Sequence, residues 1–382
     1  MRIAISLIWI RHKVAGGVES FTRNLLDGFV ADGSDNSYVL LCSKDNVDSF
    51  RHYSEDKRFT LYECPVFTNS LKQTLFYESF KLDALVSSLG VDLCFVPSFR
   101  MPLLRKKNKY VVVIHDLISS NMPQMFKWYR RAWLNWATKR AWRRSEHVVT
   151  ISNFVAEDLE NRFGPKEARS TIYNPILPNK DTIEFKKIED KYCIAQGRYF
   201  YTVSSLAQNK NLMTLLRMMR VLSSNYEFKD FKLIISGVGL SKDAKSRFNV
   251  EPFLNFLEDK NLQERCLFTG FVTNEERNTL IANCNTFLFP SVFEGFGMPV
   301  IEAMELGAKV ITTKCASIPE VSQGKAIYVN DPYDENELFD TIQIHINETG
   351  YPIHFPEYEL LNVTKRYLCV FKETLTGKVN EL

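Results

Sequence analysis

A chain of 382 residues, 45% hydrophobic and 24% charged, is longer than one hydrophobic core usually organises, so two domains of roughly 150 to 200 residues are the first expectation. The net charge of +3, from 48 Lys and Arg against 45 Asp and Glu, is too small to argue for nucleic acid by itself. No segment reaches the roughly 18 uninterrupted apolar residues that a membrane span needs, and Met1–Ile8 runs into Arg11-His12-Lys13 without a small-residue cleavage site, which reads as a cytosolic protein starting on a buried strand.

Short apolar, β-branched runs alternate with helix-length segments along nearly the whole chain, the pattern of an α/β fold with parallel sheets. In the first half the pattern predicts strands near 2–9, 38–42, 59–63, 91–96, 110–114 and 146–151, and helices near 18–31, 70–89, 123–144 and 153–162. Between Asp116 and Glu146 there is no acidic residue. That stretch holds seven basic residues (Lys127, Arg130, Arg131, Lys139, Arg140, Arg143, Arg144) and four of the five tryptophans (Trp128, Trp133, Trp136, Trp142). The segment after Asn174 carries Pro175, Pro178 and the mixed-charge run Lys186 to Lys191 without a clear period, as a linker does. Strands follow near 199–204, 231–236, 265–268, 285–289, 309–313 and 325–329, and the tail near 357–375 has helical spacing. The expected division is a first domain over 1–175, a linker over 176–196, a second domain over 197–355, and a helix within 356–382 that folds back on the first domain. The eight cysteines are scattered, mostly in apolar runs, without the paired spacing of zinc ligation or a redox dithiol. They read as reduced core thiols.

Several loops carry chemistry. Gly16-Gly17 follows the first strand and opens a helix, so its backbone can close on a phosphate or on a second substrate; a simple tight turn is the alternative. His115 ends the buried strand Tyr110–Ile114, where sites of open parallel sheets gather, and a neutral imidazole there can bond a hydroxyl; a core histidine is the alternative. Lys210, between a strand and a helix, is placed to offset the charge of a departing diphosphate; an ordinary surface lysine is the alternative. The strongest signal runs from Phe289 to Gly307, FPSVFEGFGMPVIEAMELG. Pro299 suits an early helical position and Gly307 a C-terminal cap, so a helix of about two turns starts just after the glycine loop. Its unpaired N–H groups at Gly297 and Met298, and glycines that let a ligand approach, suit a diphosphate or sugar oxygens. Glu294 in the loop and Glu302 in the helix can accept hydrogen bonds from hydroxyl-rich parts of the same ligand. Solvated glutamates on an ordinary strand-loop-helix are the alternative.

This block, with its two glutamates seven residues apart, resembles the donor-binding signature of the family 4 retaining glycosyltransferases of GT-B fold, which have two Rossmann-like domains facing across a cleft. The resemblance covers most of the chain. Gly16-Gly17-Val18-Glu19 is similar to the family's first-domain loop, His115-Asp116-Leu117 to its donor-side histidine, and Thr150-Ile151-Ser152-Asn153 to its end-of-domain serine strand. Ser204-Ser205 through Lys210-Asn211 is similar to its phosphate-binding lysine loop, while Gly237-Val238-Gly239 and Gly270-Phe271-Val272 are similar to its base-pocket loops. Ile318-Pro319-Glu320-Val321 and Asp331-Pro332 complete the order. One departure is that many relatives carry an arginine where Ser205 stands, which leaves more of the phosphate neutralisation to Lys210 and the helix N-terminus.

The resemblance implies transfer of a hexosyl or deoxyhexosyl group, with retention, from a nucleoside-diphosphate sugar to a glycan or polyprenyl-diphosphate-linked acceptor, in O-antigen, lipopolysaccharide or capsule assembly. It gives catalytic roles to His115, Lys210 and Glu294. Donor contacts fall to Gly16, Gly17, Ser204, Ser205, Lys210, Gly237, Val272, Glu294, Phe296, Gly297, Met298 and Glu302, with Glu302 on the ribose and Glu294 on the sugar. No cofactor is implied, and with no aspartate-x-aspartate triplet in the sequence transfer is expected to be metal-independent. The basic, tryptophan-rich stretch over 127–144 is expected to contact a membrane surface or a lipid diphosphate, which makes the enzyme peripheral at the inner face of the plasma membrane. A solvated helix face is the rival explanation, and no recognition motif supports nucleic acid. The rival functions are a nucleotide-sugar epimerase or hydrolase of the same fold and a non-catalytic scaffold. A nicotinamide dehydrogenase is excluded because the first strand does not lead to G-x-G-x-x-G.

Overall fold

The computed structural model describes residues 1–11, 16–105, 108–176, 180–223, 225–237 and 250–377. The chain forms two compact units, Met1–Pro178 with Pro356–Leu382, and Asn179–Phe355. In the first unit β1 (Arg2–Ser6), β2 (Ser37–Ser43), β3 (Phe59–Cys64), β4 (Leu93–Val96), β5 (Tyr110–Ile114), β6 (His147–Thr150) and β7 (Arg169–Thr171) form one seven-stranded sheet in the order β3-β2-β1-β4-β5-β6-β7. Every pairing is parallel. All residues of β4, β5 and β6 are buried, and β4 and β5 read as unbroken apolar runs because helices cover both faces of a parallel sheet.

The helix Leu360–Thr376 belongs to the first unit and packs on the helix Gly17–Ala31. A Cβ on Gly28 would lie 2.0 Å from Thr364 Oγ1, so that crossing requires glycine. Phe95 of β4 meets Tyr367 and Phe371 at ring separations of 5.6 and 5.3 Å. Lys109 Nζ donates to the carbonyls of Thr374 and Leu375, both at 2.9 Å, placing a cation at the negative end of the helix.

In the second unit β8 (Tyr199–Ser204), β9 (Lys232–Gly237), β10 (Cys266–Gly270), β11 (Thr286–Phe289), β12 (Val310–Thr313) and β13 (Ile327–Val329) form a six-stranded parallel sheet in the order β10-β9-β8-β11-β12-β13. The helix Leu212–Ser223 buries Leu215, Leu216 and Met219 against Phe200, Leu233 and Leu288 of the sheet. In each sheet the strand order reverses once, between β1 and β4 and between β8 and β11. The loops leaving the carboxyl ends of such a strand pair diverge and open a crevice, the usual ligand site of open α/β sheets.

Three elements differ from the sequence pattern. The expected helix 70–89 is two helices, Leu71–Phe80 and Leu82–Ser88, that meet at Lys81. Strand β7 escapes hydropathy because Arg169-Ser170-Thr171 has no apolar side chain. The segment 176–196, expected as a linker, carries the helix Phe185–Tyr192, which belongs to the second unit. Phe185 stacks on Tyr199 at 6.4 Å, Ile188 is fully buried, and Lys191 pairs with Glu276 at 2.5 Å. Two turns offer too few repeats for a helical period to stand out among the charges.

Candidate active site

Strand β8 leads into a 3₁₀ turn, Gln208–Lys210, and β11 into the loop that holds Glu294. Because β8 and β11 are neighbours at the reversal, the two loops meet. Lys210 Nζ lies 2.6 Å from Glu294 Oε1, and Ser291 Oγ donates to the same oxygen at 2.5 Å. The lysine and glutamate side chains keep 23% and 12% of their surface, so the pair is largely withdrawn from water yet open to a ligand. The rest of the array is held by polar groups within the loops. Asn209 Nδ2 donates to the Phe293 carbonyl at 3.0 Å, and the Asn209 carbonyl accepts from Val292 N at 2.8 Å. Asn211, left-handed at φ 50, donates to Pro290 O at 3.3 Å and also to Pro332 O. Ser317 Oγ approaches the carbonyls of Glu294 and Phe296 at 3.0 and 3.1 Å. Phe293 and Phe296 are buried beneath the loop.

The loop ends at Gly297, whose φ of 96 caps the helix Met298–Glu305, with Pro299 in its first turn. Gly297 is left-handed, and Met298 is half-buried at the helix start. The first turn of such a helix leaves backbone N–H groups without intrahelical partners. Glu302 does not join Glu294. Its neighbour is Arg277, with Nη1 3.6 Å from Glu302 Oε2. Each carboxylate thus has its own cation. Ser205 accepts from Ala207 N at 3.4 Å, and Ser204 Oγ donates to the Ser205 carbonyl at 2.7 Å. Gly237 closes β9 opposite Ser204, and Val272 is half-buried after β10. Val238 and Gly239 lie outside the described residues.

In the first unit His115 leaves β5 beside β4. Its Nε2 lies 3.0 Å from the Pro97 carbonyl, and its ring meets Phe21 edge-on at 4.9 Å. A carbonyl only accepts, so Nε2 carries the proton and Nδ1 keeps a lone pair. Burial drives the pKa from 6.5 down to about 4, against the opposing effect of the Pro97 hydrogen bond. His115 is therefore a neutral acceptor at pH 7. Gly16 has φ 63 and its carbonyl accepts from Glu19 N and Ser20 N at 3.0 and 3.2 Å. A Cβ on either Gly16 or Gly17 would meet nothing within 4 Å, so packing among the described residues does not require glycine at Gly17.

His147 on β6 is also lowered to about 4, chiefly by burial and then by Lys166. For both histidines the folded pKa lies below the unfolded value near 6.5. Their contribution to stability is full above pH 6.5 and is lost as pH falls from there through 4. The free energy of unfolding is expected to drop over that window, by an amount on the order of a few kcal/mol for the two together, and the melting temperature with it. Thermal unfolding of wild type and His147→Gln between pH 4 and 7 checks this; equal slopes in both would remove His147 from the account.

The basic stretch forms the helix Trp128–Arg144. Trp142 is buried and donates Nε1–H to Gly164 O at 2.9 Å. Arg140 donates to the carbonyls of Met101 and Leu103, and Arg143 to that of Phe163. Trp128, Trp133 and Trp136 are 77%, 36% and 51% exposed, and Lys127, Arg130, Arg131 and Lys139 are exposed beside them. Among the described residues no helix is long and apolar enough to cross a membrane, and no group of three His, Cys, Asp or Glu side chains is arranged to hold a metal ion.

Comparison with known proteins agrees with this architecture. O-antigen chain mannosyltransferase B of Escherichia coli is 27% identical over 65% of this chain and 63% of its own length. The N-acetylgalactosamine-N,N'-diacetylbacillosaminyl-diphospho-undecaprenol 4-alpha-N-acetylgalactosaminyltransferase of Campylobacter jejuni is 27% identical over 61% of this chain and 60% of its own length. The chain thus spans less than two thirds of these relatives. Among solved structures, Anabaena HepE in complex with UDP-glucose superposes with a TM-score of 0.71 at 17% identity, covering 99% of this chain and 100% of that one. It shares the two-domain GT-B fold. The model of Glycosyltransferase Family 4 matches residues 15–180 and that of Glycosyl transferases group 1 matches residues 184–357. Since the two follow one another along the chain, nearly unit for unit, the protein belongs to the group 1 glycosyl transferases of Glycosyltransferase Family 4.

Proposed function

We propose that the protein transfers a hexosyl or deoxyhexosyl group, with retention of configuration, from a nucleoside-diphosphate sugar to a lipid-linked glycan acceptor in surface polysaccharide assembly. The observation that carries this is the Lys210, Glu294 and Ser291 array at the strand reversal of the second sheet. The reaction must stabilise a departing diphosphate and an electron-poor anomeric carbon together, which needs positioned charges and donors more than a strong base. Lys210 and the N–H groups at Gly297 and Met298 receive the diphosphate. Glu294 accepts from hydroxyls of the transferred sugar, and Glu302 from the ribose. His115, neutral with a free Nδ1 lone pair, accepts from a further hydroxyl; Gly16 and Gly17 let a ligand approach their backbone. Retention rests on the family resemblance. The Campylobacter relative, named for a diphospho-undecaprenol acceptor, supports a polyprenyl diphosphate here.

Mass spectrometry after incubation with a panel of nucleotide sugars and polyprenyl-diphosphate-linked acceptors tests the proposal. A glycosylated acceptor is the expected product. Free sugar without transfer would make the protein a hydrolase, and an isomerised donor an epimerase. Transfer is expected to continue in excess chelator, given Lys210 and the helix N-terminus; activity restored to a stripped sample only by magnesium or manganese refutes that.

The exposed face of the helix Trp128–Arg144 supports peripheral binding at the inner face of the plasma membrane. Each basic residue near an anionic surface contributes about 1 kcal/mol, and exposed tryptophans anchor at the interface. Arg140 and Arg143 hold backbone carbonyls, so the informative change is Lys127, Arg130, Arg131 and Lys139 to glutamine. This variant is expected to lose most of its sedimentation with anionic vesicles at low salt while binding nucleotide normally. Unchanged sedimentation would reduce the face to a solvated helix.

A further inference from the structure

The acid assigned above to the ribose has a cationic neighbour from outside its own loop. The helix Asn274–Asn283 begins just after β10 with a capping box: Glu276 N donates to Thr273 Oγ1 at 3.2 Å, and Thr273 N to Glu276 Oε2 at 3.3 Å. This fixes the first turn and ties Arg277 N to the Thr273 carbonyl at 2.9 Å. The helix packs on Met298–Glu305, which brings the Arg277 guanidinium to Glu302, with the two side chains 28% and 20% exposed. Among the described residues Glu302 is the one ion-pair partner of Arg277, whose Nε is buried without a hydrogen bond. The Glu302 carboxylate makes no hydrogen bond among the described residues.

The separation matters. At 3.6 Å the guanidinium attracts the carboxylate without a short hydrogen bond, so both carboxylate oxygens keep lone pairs for a vicinal diol. A bidentate pair would have used them. Glu305, one turn further along the same helix, is a like charge beside Glu302, and Arg277 counters it. We propose that Arg277 is a positioning residue that holds the Glu302 carboxylate ready for the two ribose hydroxyls of the donor, and so sets the selectivity for a ribonucleotide.

The proposal rests on the assignment of Glu302 to the ribose, and one set of titrations separates the two. Calorimetry first identifies which of UDP, GDP, ADP and dTDP binds the wild type most tightly. The ratio of dissociation constants between the 2′,3′-dideoxy form of that nucleotide and its ribo form then reports the hydroxyl contacts. For hydrogen bonds to a charged acceptor the wild-type ratio is expected to be about tenfold or more. Glu302→Gln should bring the ratio to within about threefold of one. Arg277→Met should do the same while leaving the dideoxy nucleotide's affinity unchanged, and Arg277→Lys should recover part of the ratio. That split is not what a merely structural role would give, since a disturbed fold weakens both nucleotides alike. A wild-type ratio of one, or Glu302→Gln without effect, overturns the ribose assignment and the proposal with it. If Glu302→Gln abolishes the ratio and folded Arg277→Met retains it, only the positioning role falls. Should Arg277→Met not fold, Arg277→Gln and Arg277→Lys decide by the same ratio.

Discussion

Lys210→Ala is expected to lower kcat/KM by about 10² to 10³, with most of the loss in kcat, the magnitude found when one preorganised donor to a developing negative charge is removed. Lys210 is the only cation in the loops 205–211 and 290–297. In the proposed reaction these two loops therefore offer the leaving diphosphate no second side-chain cation. Glu294 holds Nζ at 2.6 Å and Ser291 holds Glu294, so the lysine is already oriented before the donor arrives. Removing it leaves a carboxylate that is only 12% exposed with Ser291 as its remaining side-chain partner, and some stability is lost as well. The double change Lys210→Met with Glu294→Gln removes that unpaired charge, and its melting point should recover while its activity does not. Steady-state kinetics with thermal unfolding on the three proteins separate the two effects. If folded Lys210→Ala keeps kcat/KM within about threefold of wild type, the lysine does not act on the leaving group.

Much of this crevice was legible because its residues obey local backbone rules. Gly297, Pro299 and Gly307 mark a loop, a helix start and a helix stop, and the helix Met298–Glu305 follows them. The unbroken apolar runs of β4 and β5 declared a sheet covered on both faces. What stayed hidden depends on strand order. Asn209, Asn211, Ser291 and Ser317 read as ordinary loop polarity, yet all four are buried, and they join the loops after β8, β11, β12 and β13. Their partners are far away in sequence and become neighbours only once β8 pairs with β11. Arg277 was hidden for the same reason: nothing near Thr273 signals that its helix packs on that of Glu302. The pairing of the two glutamates with different cations could not be inferred from their spacing, because spacing fixes positions along one element and not what faces them.

The basic stretch shows the converse. Composition alone singled it out, but not which charges are free. Arg140 and Arg143 satisfy carbonyls of neighbouring loops and Trp142 faces the core, whereas Arg130, Arg131 and Lys139 remain exposed. A helix places side chains every 100° or so, and which of those directions points to solvent is decided by the sheet beneath.

Gly237→Ala is expected to destabilise the second unit by about 2 to 4 kcal/mol, more than the usual cost of a surface substitution. The sequence gives Gly237 a place in a ligand loop, but the fold makes a separate demand on it. It ends β9 in register with Ser204 of β8, at φ +119, and an added Cβ would lie 2.4 Å from the Ser204 carbonyl oxygen and 3.2 Å from its carbon. Backbone cannot rotate aside as a side chain can, so the strand ends must separate. Ser204 leads directly into the turn that carries Lys210, and the displacement should reach the Lys210–Glu294 pair. Gly16→Ala is the control: a Cβ there meets nothing within 4 Å, so only its backbone conformation, φ +63 with ψ −139, is penalised, at about 1 to 3 kcal/mol. Denaturant unfolding of the two variants, with nucleotide affinity measured below the transition, checks both the size and the order of the effects. Gly237→Ala within about 0.5 kcal/mol of wild type would mean that β8 and β9 part without cost at this end, and the requirement for glycine would then have to come from a bound ligand.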